Sequence, residues 1–247
     1  MNKKIYLLTA LLLLQLTTAE AYNDTDLATL LATGNCPAGD LSGAQLINLD
    51  LSNADLVGAN LNFANLEGTA LEKANLHTAT LRKANLKSTS LTQANLTATD
   101  LSYANLQKAD CNRTNFSGSN AFRANFTTAL LSFANFRNSN LQEASLDYIN
   151  GYFTDFSHAN LAYTWFYQAD LRKATLTGAN LYNAKLQKAN LTEAVLHRAN
   201  LAYANLNQAD LTKADFAAAN LERTNLVDAK IQDTRLETAL LLKPQLQ

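Results

Sequence analysis

Ala54-Asp55-Leu56-Val57-Gly58, Ala59-Asn60-Leu61-Asn62-Phe63 and Ala64-Asn65-Leu66-Glu67-Gly68 follow one another without a gap, and the same frame holds at Ala219-Asn220-Leu221-Glu222-Arg223. A Leu or close substitute returns every fifth residue from Leu41 to Leu241, with a small residue two places before it. Phe or Ile takes the central place in seven units, and only Cys111, Ala121 and Gly151 depart further. The small place is mostly Ala, and most exceptions are Thr or Ser, such as Thr69, Thr89 and Ser139. A period of five fits neither the 3.6 residues of a helix nor the 2.0 of a strand, so a straight element would smear these leucines around its surface. The chain must therefore turn at every unit.

If each unit forms one side of a coil and then turns a corner, every Leu and Ala points to a shared axis and the other three residues face water. Coils then stack at about 4.8 Å, and each lacks a core until its neighbours cover it. Phe116, Phe136 and Phe156 occupy central places twenty residues apart. Four units per coil would lay these rings one above another. The repeated A(D/N)Lxx frame resembles the pentapeptide repeat family. That resemblance implies an all-β solenoid, a right-handed quadrilateral β-helix of about ten coils of four pentapeptides over residues 39–243. The tail is 244–247.

Lys3 and Lys4 precede an apolar run from Ile5 to Leu16, and Ala19-Glu20-Ala21 has the small-x-small form of a signal peptidase site. Residues 1–21 therefore read as a signal peptide cut between Ala21 and Tyr22, with a periplasmic or secreted product. A membrane anchor would need about 20 apolar residues, so no membrane span is expected after cleavage. Residues 22–38 form an N-terminal cap: Asp24 to Ala32 carries an acidic start and helical leucine spacing, stopped by Gly34 and Pro37. This short capping helix would cover the first coil, and Leu240, Leu241 and Leu242 would help close the other end.

Twenty basic and 21 acidic residues leave a net charge of −1, which is neither a nucleic-acid footprint nor an acidic mimic of one. Cys36 and Cys111 lie about three coils apart, roughly 14 Å against a disulfide limit near 7 Å, so no internal disulfide is expected. His77, His158 and His197 are too scattered to hold a metal. Asp50, Asp110, Asp170 and Asp210 share a column at least two coils apart. No catalytic residue, metal site or cofactor is expected, and the chain does not read as an enzyme.

Aromatic placement departs from this background. Phe122, Leu130, Phe133, Tyr148, Tyr152, Phe153, Tyr163, Trp165 and Tyr167 fall at outward places within three successive coils. An exposed cluster of this kind marks contact with another molecule, or else rings bracing neighbouring coils. Phe63, Lys83, Tyr103 and Arg123 alternate ring and cation in a second column, suited to cation–π contacts. Ala121 and Gly151 leave central places nearly empty, so a kink or broadened coil is expected near 149–153, with Ile149 filling part of the gap. The functional expectation is an exported, non-catalytic, rigid binding or scaffold rod for an unknown protein or cell-envelope component, with homodimerisation left open. Two alternatives are a topoisomerase-protecting DNA mimic, implied by the resemblance alone, and a surface hydrolase.

Overall fold

The computed structural model describes residues 22–240. The signal segment and the 244–247 tail lie outside the described residues, as do Leu241 and Leu242.

Helix α1, Asp24–Thr33, opens the described chain. The Asn23 side chain caps it by accepting from the Thr25 and Asp26 N–H groups. Gly34, at φ 78°, ends it in the left-handed region, its N–H donating to Leu30 O. Leu27 and Leu30 face inward and join the core. Asp26 Oδ2 accepts from Asp40 N–H at 2.8 Å, tying the helix to the start of the repeats.

No sheet forms among the described residues, which overturns the expected all-β solenoid and right-handed quadrilateral β-helix. The chain builds a stack of turns. Its β contacts are isolated parallel bridges of one residue each, from Asp40 with Asn60 to Asn220 with Leu240, always twenty residues apart. The unit itself explains this. Only the Asn/Asp place pairs in extended geometry before the next turn begins, whereas a strand needs a run of several extended residues. Every unit from Gly43 to Thr238 has positive φ two residues after its centre, as position i+2 of a type II turn demands. The expected rigid rod, as a sheet-built mechanism, falls with the sheet.

Backbone donors show what holds the stack together. In a typical coil, Leu61 N–H donates to Thr80 O, Phe63 N–H to Arg82 O and Asn65 N–H back to Ala44 O, while Ala64 N–H closes the turn on Leu61 O. That leaves one N–H per unit. Asn62 N–H is taken by the side chain of Asn60, at 3.2 Å. Buried backbone donors must find partners, so this arrangement gives a physical reason for Asn or Asp immediately before the centre. The same side chains form ladders between coils, as Asn140 to Asn120 at 3.0 Å and Asn160 to Asn140 at 3.1 Å. Those places are half-buried, so the expectation that three residues of each unit face water holds only in part.

Central and small places line one continuous core; Leu86, Leu146 and Leu191 are fully buried. Phe136 stacks on Phe116 at 4.5 Å and on Phe156 at 5.2 Å, and Phe126 meets Phe116 and Phe136 edge to face across the interior. These rings cluster around Cys111, Ala121 and Gly151, so large centres occupy volume that small ones leave. Buried Thr in place of Ala is satisfied locally: Thr114 and Thr154 donate their hydroxyls to the central carbonyls of Leu91 and Leu131 one coil earlier.

The kink or broadened coil expected near 149–153 does not interrupt the stack. Bridges run on through Leu130 with Asn150 and Asn150 with Asp170. A Cβ on Gly151 would lie 3.1 Å from Leu171 Cδ2 and 3.3 Å from Ile149 Cδ1. Ile149 and Leu171 therefore fill the empty centre. The disturbance is limited to the turn, where no bond joins Ile149 N–H to Leu146 O.

Candidate interaction surface

Where a bridge residue is not Asn or Asp, the remaining N–H loses its usual acceptor, and in some units a side chain of the preceding coil takes its place. At Leu130, Asn112 Oδ1 of the preceding coil accepts from Ser132 N–H at 2.9 Å. At Trp165, Asp147 Oδ1 accepts from Tyr167 N–H at 2.7 Å. Burial pushes the Asp147 carboxyl up, only partly offset by the Tyr167 N–H and the Ser145 hydroxyl. Position 165 thus has no acceptor role in its own turn and carries an outward indole. Asp147→Ala should orphan the Tyr167 N–H and cost about 1–3 kcal/mol. Adding Trp165→Asn, which restores the local acceptor, should recover most of it in chemical denaturation.

The nine expected surface residues do not form one patch. Phe122 and Tyr163 stand on the first unit of their coils, Tyr148 and Tyr167 on the second, and Phe133, Tyr152 and Phe153 on the third. Trp165 and Leu130 occupy the bridges between. On the third unit, Phe133 stacks on Phe153 at 5.4 Å, with Arg113 and Lys173 over the outer faces of the pair. Tyr152 packs against both rings. On the second, Tyr148 meets Tyr167 at 5.6 Å, and Lys188 lies over Tyr167. On the first, Phe122 stays outside against Tyr103 and Arg123 instead of swinging into the gap at Ala121. These groups are ring-and-cation ladders that brace adjacent coils. In the second expected column, Lys83 lies over Phe63 and Arg123 over Tyr103.

Trp165 differs. It is 55% exposed, and it is the one aromatic member of the nine with no ring or cation contact among the described residues. It opens onto a shallow hollow lined by Glu143, Tyr163, Trp165, Asn183 and Lys185. Below Tyr163 a zigzag of rings continues through Tyr182 to Tyr203, with the buried Ala162 and Ala202 leaving room for Tyr182 between them. The expected patch missed Tyr182 and Tyr203, although their positions one coil apart in neighbouring columns carried the signal.

Several polar groups elsewhere have partners within the stack. Among the described residues no three His, Cys, Asp or Glu come together as a metal site. Cys36 and Cys111 are free and buried; burial, then Asp26, pushes the Cys36 thiol up, and burial, then Asp110, does so more strongly at Cys111. His77 hydrogen-bonds Thr97, and His197 contacts Asp215 at 2.6 Å. At Asp155 and Asp170, burial pushes the carboxyl up. It is outweighed at Asp155 by the Ser157 hydroxyl and N–H and by Arg137, and at Asp170 by Arg172. At Asp210 the Thr212 hydroxyl is the main cause of a lowered value. Groups held below their unfolded values stabilise the fold above those values and lose that contribution as pH falls through the folded ones. Asp147 carries the opposite sign. Glu72 and Asp215 are lowered as well, so five lowered carboxyls stand against one raised, and the unfolding midpoint should fall on acidification below about pH 4, where unfolded Asp titrates. A denaturant series from pH 6 to 3 checks this.

The family described as pentapeptide repeats matches in eight copies between residues 40 and 241; none covers 148–153, the stretch around Gly151. HetL, a pentapeptide repeat protein involved in heterocyst differentiation regulation from the cyanobacterium Nostoc sp. strain PCC 7120, is 31% identical. That match covers 88% of this chain and 94% of HetL, with a TM-score of 0.56. The pentapeptide repeat protein Rfr23 from the cyanobacterium Cyanothece 51142 is 26% identical over 49% of this chain and 92% of its own, with a TM-score of 0.34. QnrB1, a plasmid-mediated fluoroquinolone resistance protein, is 19% identical over 80% and 88%, with a TM-score of 0.34. No curated protein matches the chain.

Proposed function

We propose, from the premise that this chain belongs to the pentapeptide repeat family, that it is an exported protein that binds a partner through the surface around Trp165. It is a non-catalytic repeat protein: its core is committed to packing, and its polar side chains to turns and ladders. The observation that carries the reading is the unbraced, exposed indole beside a hollow, in a chain whose other expected surface rings stack on neighbours. Tyr and Trp are frequent anchors of interfaces. The third-unit ladder belongs to bracing and is left out of the contact surface. Lys3, Lys4, the apolar run and Ala19-Glu20-Ala21 support export to the periplasm or beyond. The near-neutral charge favours a protein or cell-envelope partner over nucleic acid. No helix among the described residues is long and apolar enough to cross a membrane.

A photo-crosslinking amino acid placed at Trp165 in the native compartment should capture a defined partner, while the same group at Lys73 should not. Equal capture from both positions, or from neither, would remove this surface from consideration.

A further inference from the structure

We infer that the hollow at Trp165 binds a neutral, pyranose-based oligosaccharide. This rests on the proposed contact surface and names its ligand class.

Residues 65, 85, 105 and 125 form an Asn ladder at the corner between the first and second units, with bonds such as Asn85 to Asn65 at 3.0 Å. The column reads Ser145, Trp165 and Lys185 before Asn205 and Asn225 return. Stability alone favours continuing the ladder, so the interruption breaks a local rule where the hollow lies. Both observations, one from sequence and one from shape, select the same three coils.

The chemistry of the lining selects the ligand. Two exposed aromatic side chains, Tyr163 and Trp165, offer flat apolar surface. Around them stand a carboxylate, an amide and an ammonium, the groups that meet hydroxyls. Lys185 Nζ donates to Asn183 Oδ1 at 3.0 Å, leaving further hydrogens on the ammonium and those on the Asn183 amide nitrogen to donate. Glu143 is held by Arg123 at 2.6 Å, so its charge is matched and cannot select a ligand cation, although its oxygens retain acceptor capacity. An extended peptide pairing with an edge finds no vacancy. Tyr163 N–H donates to Tyr182 O, Asn183 N–H to Ala202 O, Trp165 N–H to Ala144 O and Lys185 N–H to Thr164 O. Polyanions are disfavoured because one ammonium stands beside one matched ion pair. A ligand with an apolar ring face and a rim of hydroxyls satisfies every group. Tyr182 meets Tyr163 edge to face at 71°, so the flat surface the hollow offers is that of Tyr163 and Trp165.

Trp165 is the single tryptophan of the chain, so its emission reports this site alone. Titration with cellohexaose and with chitohexaose should give a saturable change in Trp165 fluorescence with at least one of them. Tyr163→Ala should weaken that binding at least tenfold, while the denaturation midpoint falls only by the small amount expected for losing one exposed ring contact with Tyr182. Trp165→Phe, followed by calorimetry, should keep binding within a few-fold. Silence with both sugars, undiminished binding in Tyr163→Ala, or a response confined to choline or to a heparin hexasaccharide would overturn the inference. If the sugars are silent while crosslinking at Trp165 still captures a polypeptide, the contact surface stands and only the ligand class fails.

Discussion

Phe136→Ala is expected to destabilise the protein by about 3–5 kcal/mol, the range for removing a buried aromatic ring. Phe136 is fully buried and touches three other rings, stacked on Phe116 and Phe156 and edge to face with Phe126. Its removal leaves a void in the stretch where Ala121 and Gly151 already reduce the core. Coils contact only their neighbours, so unfolding of such arrays need not be uniform. The loss should appear as lowered amide protection centred on residues 116–156, with α1 less affected. Phe136→Leu, which returns the unit to the residue most others use, should cost much less. Equal protection in the wild type and Phe136→Ala would show that the ring stack contributes no such stability.

The second large effect is a compensation. Ile149→Ala should cost about 2–5 kcal/mol, because it removes the side chain that fills the centre above Gly151. Gly151→Leu should cost about 1–3 kcal/mol by overpacking, since a Cβ there already lies 3.1 Å from Leu171 Cδ2 and 3.1 Å from Asp170 O. Together the two changes write the ordinary Ala-x-Leu of the repeat, and the double variant should regain most of the lost stability. Additive losses in a denaturation cycle would mean that Ile149 and Gly151 are independent.

Much of this architecture was legible in the residues. The five-residue frame placed Leu and Ala inside, and the spacing of Phe116, Phe136 and Phe156 put their rings in one stack. Sequence also marked Ile149 as the residue beside the gap at Gly151. The full closing of that gap was not legible, because Leu171 lies twenty residues on and its reach into the space depends on coil packing. The candidate surface was half legible. Trp165 was one of nine outward residues with nothing to set it apart, because Phe133, Phe153, Tyr148 and Tyr167 are bound into ladders by partners in the next coil, and Tyr182 and Tyr203 were overlooked.

By itself the sequence determined the period, the inward residues and the kinship, because steric size and hydrophobicity repeat locally and need no knowledge of neighbours. Only the tertiary structure decided that coils join through single bridges without forming a sheet, since pairing depends on how many consecutive residues stay extended between turns. It also decided which rings are free. A ring is braced or exposed according to what the coil above and the coil below place beside it, and for Trp165 they place a hollow.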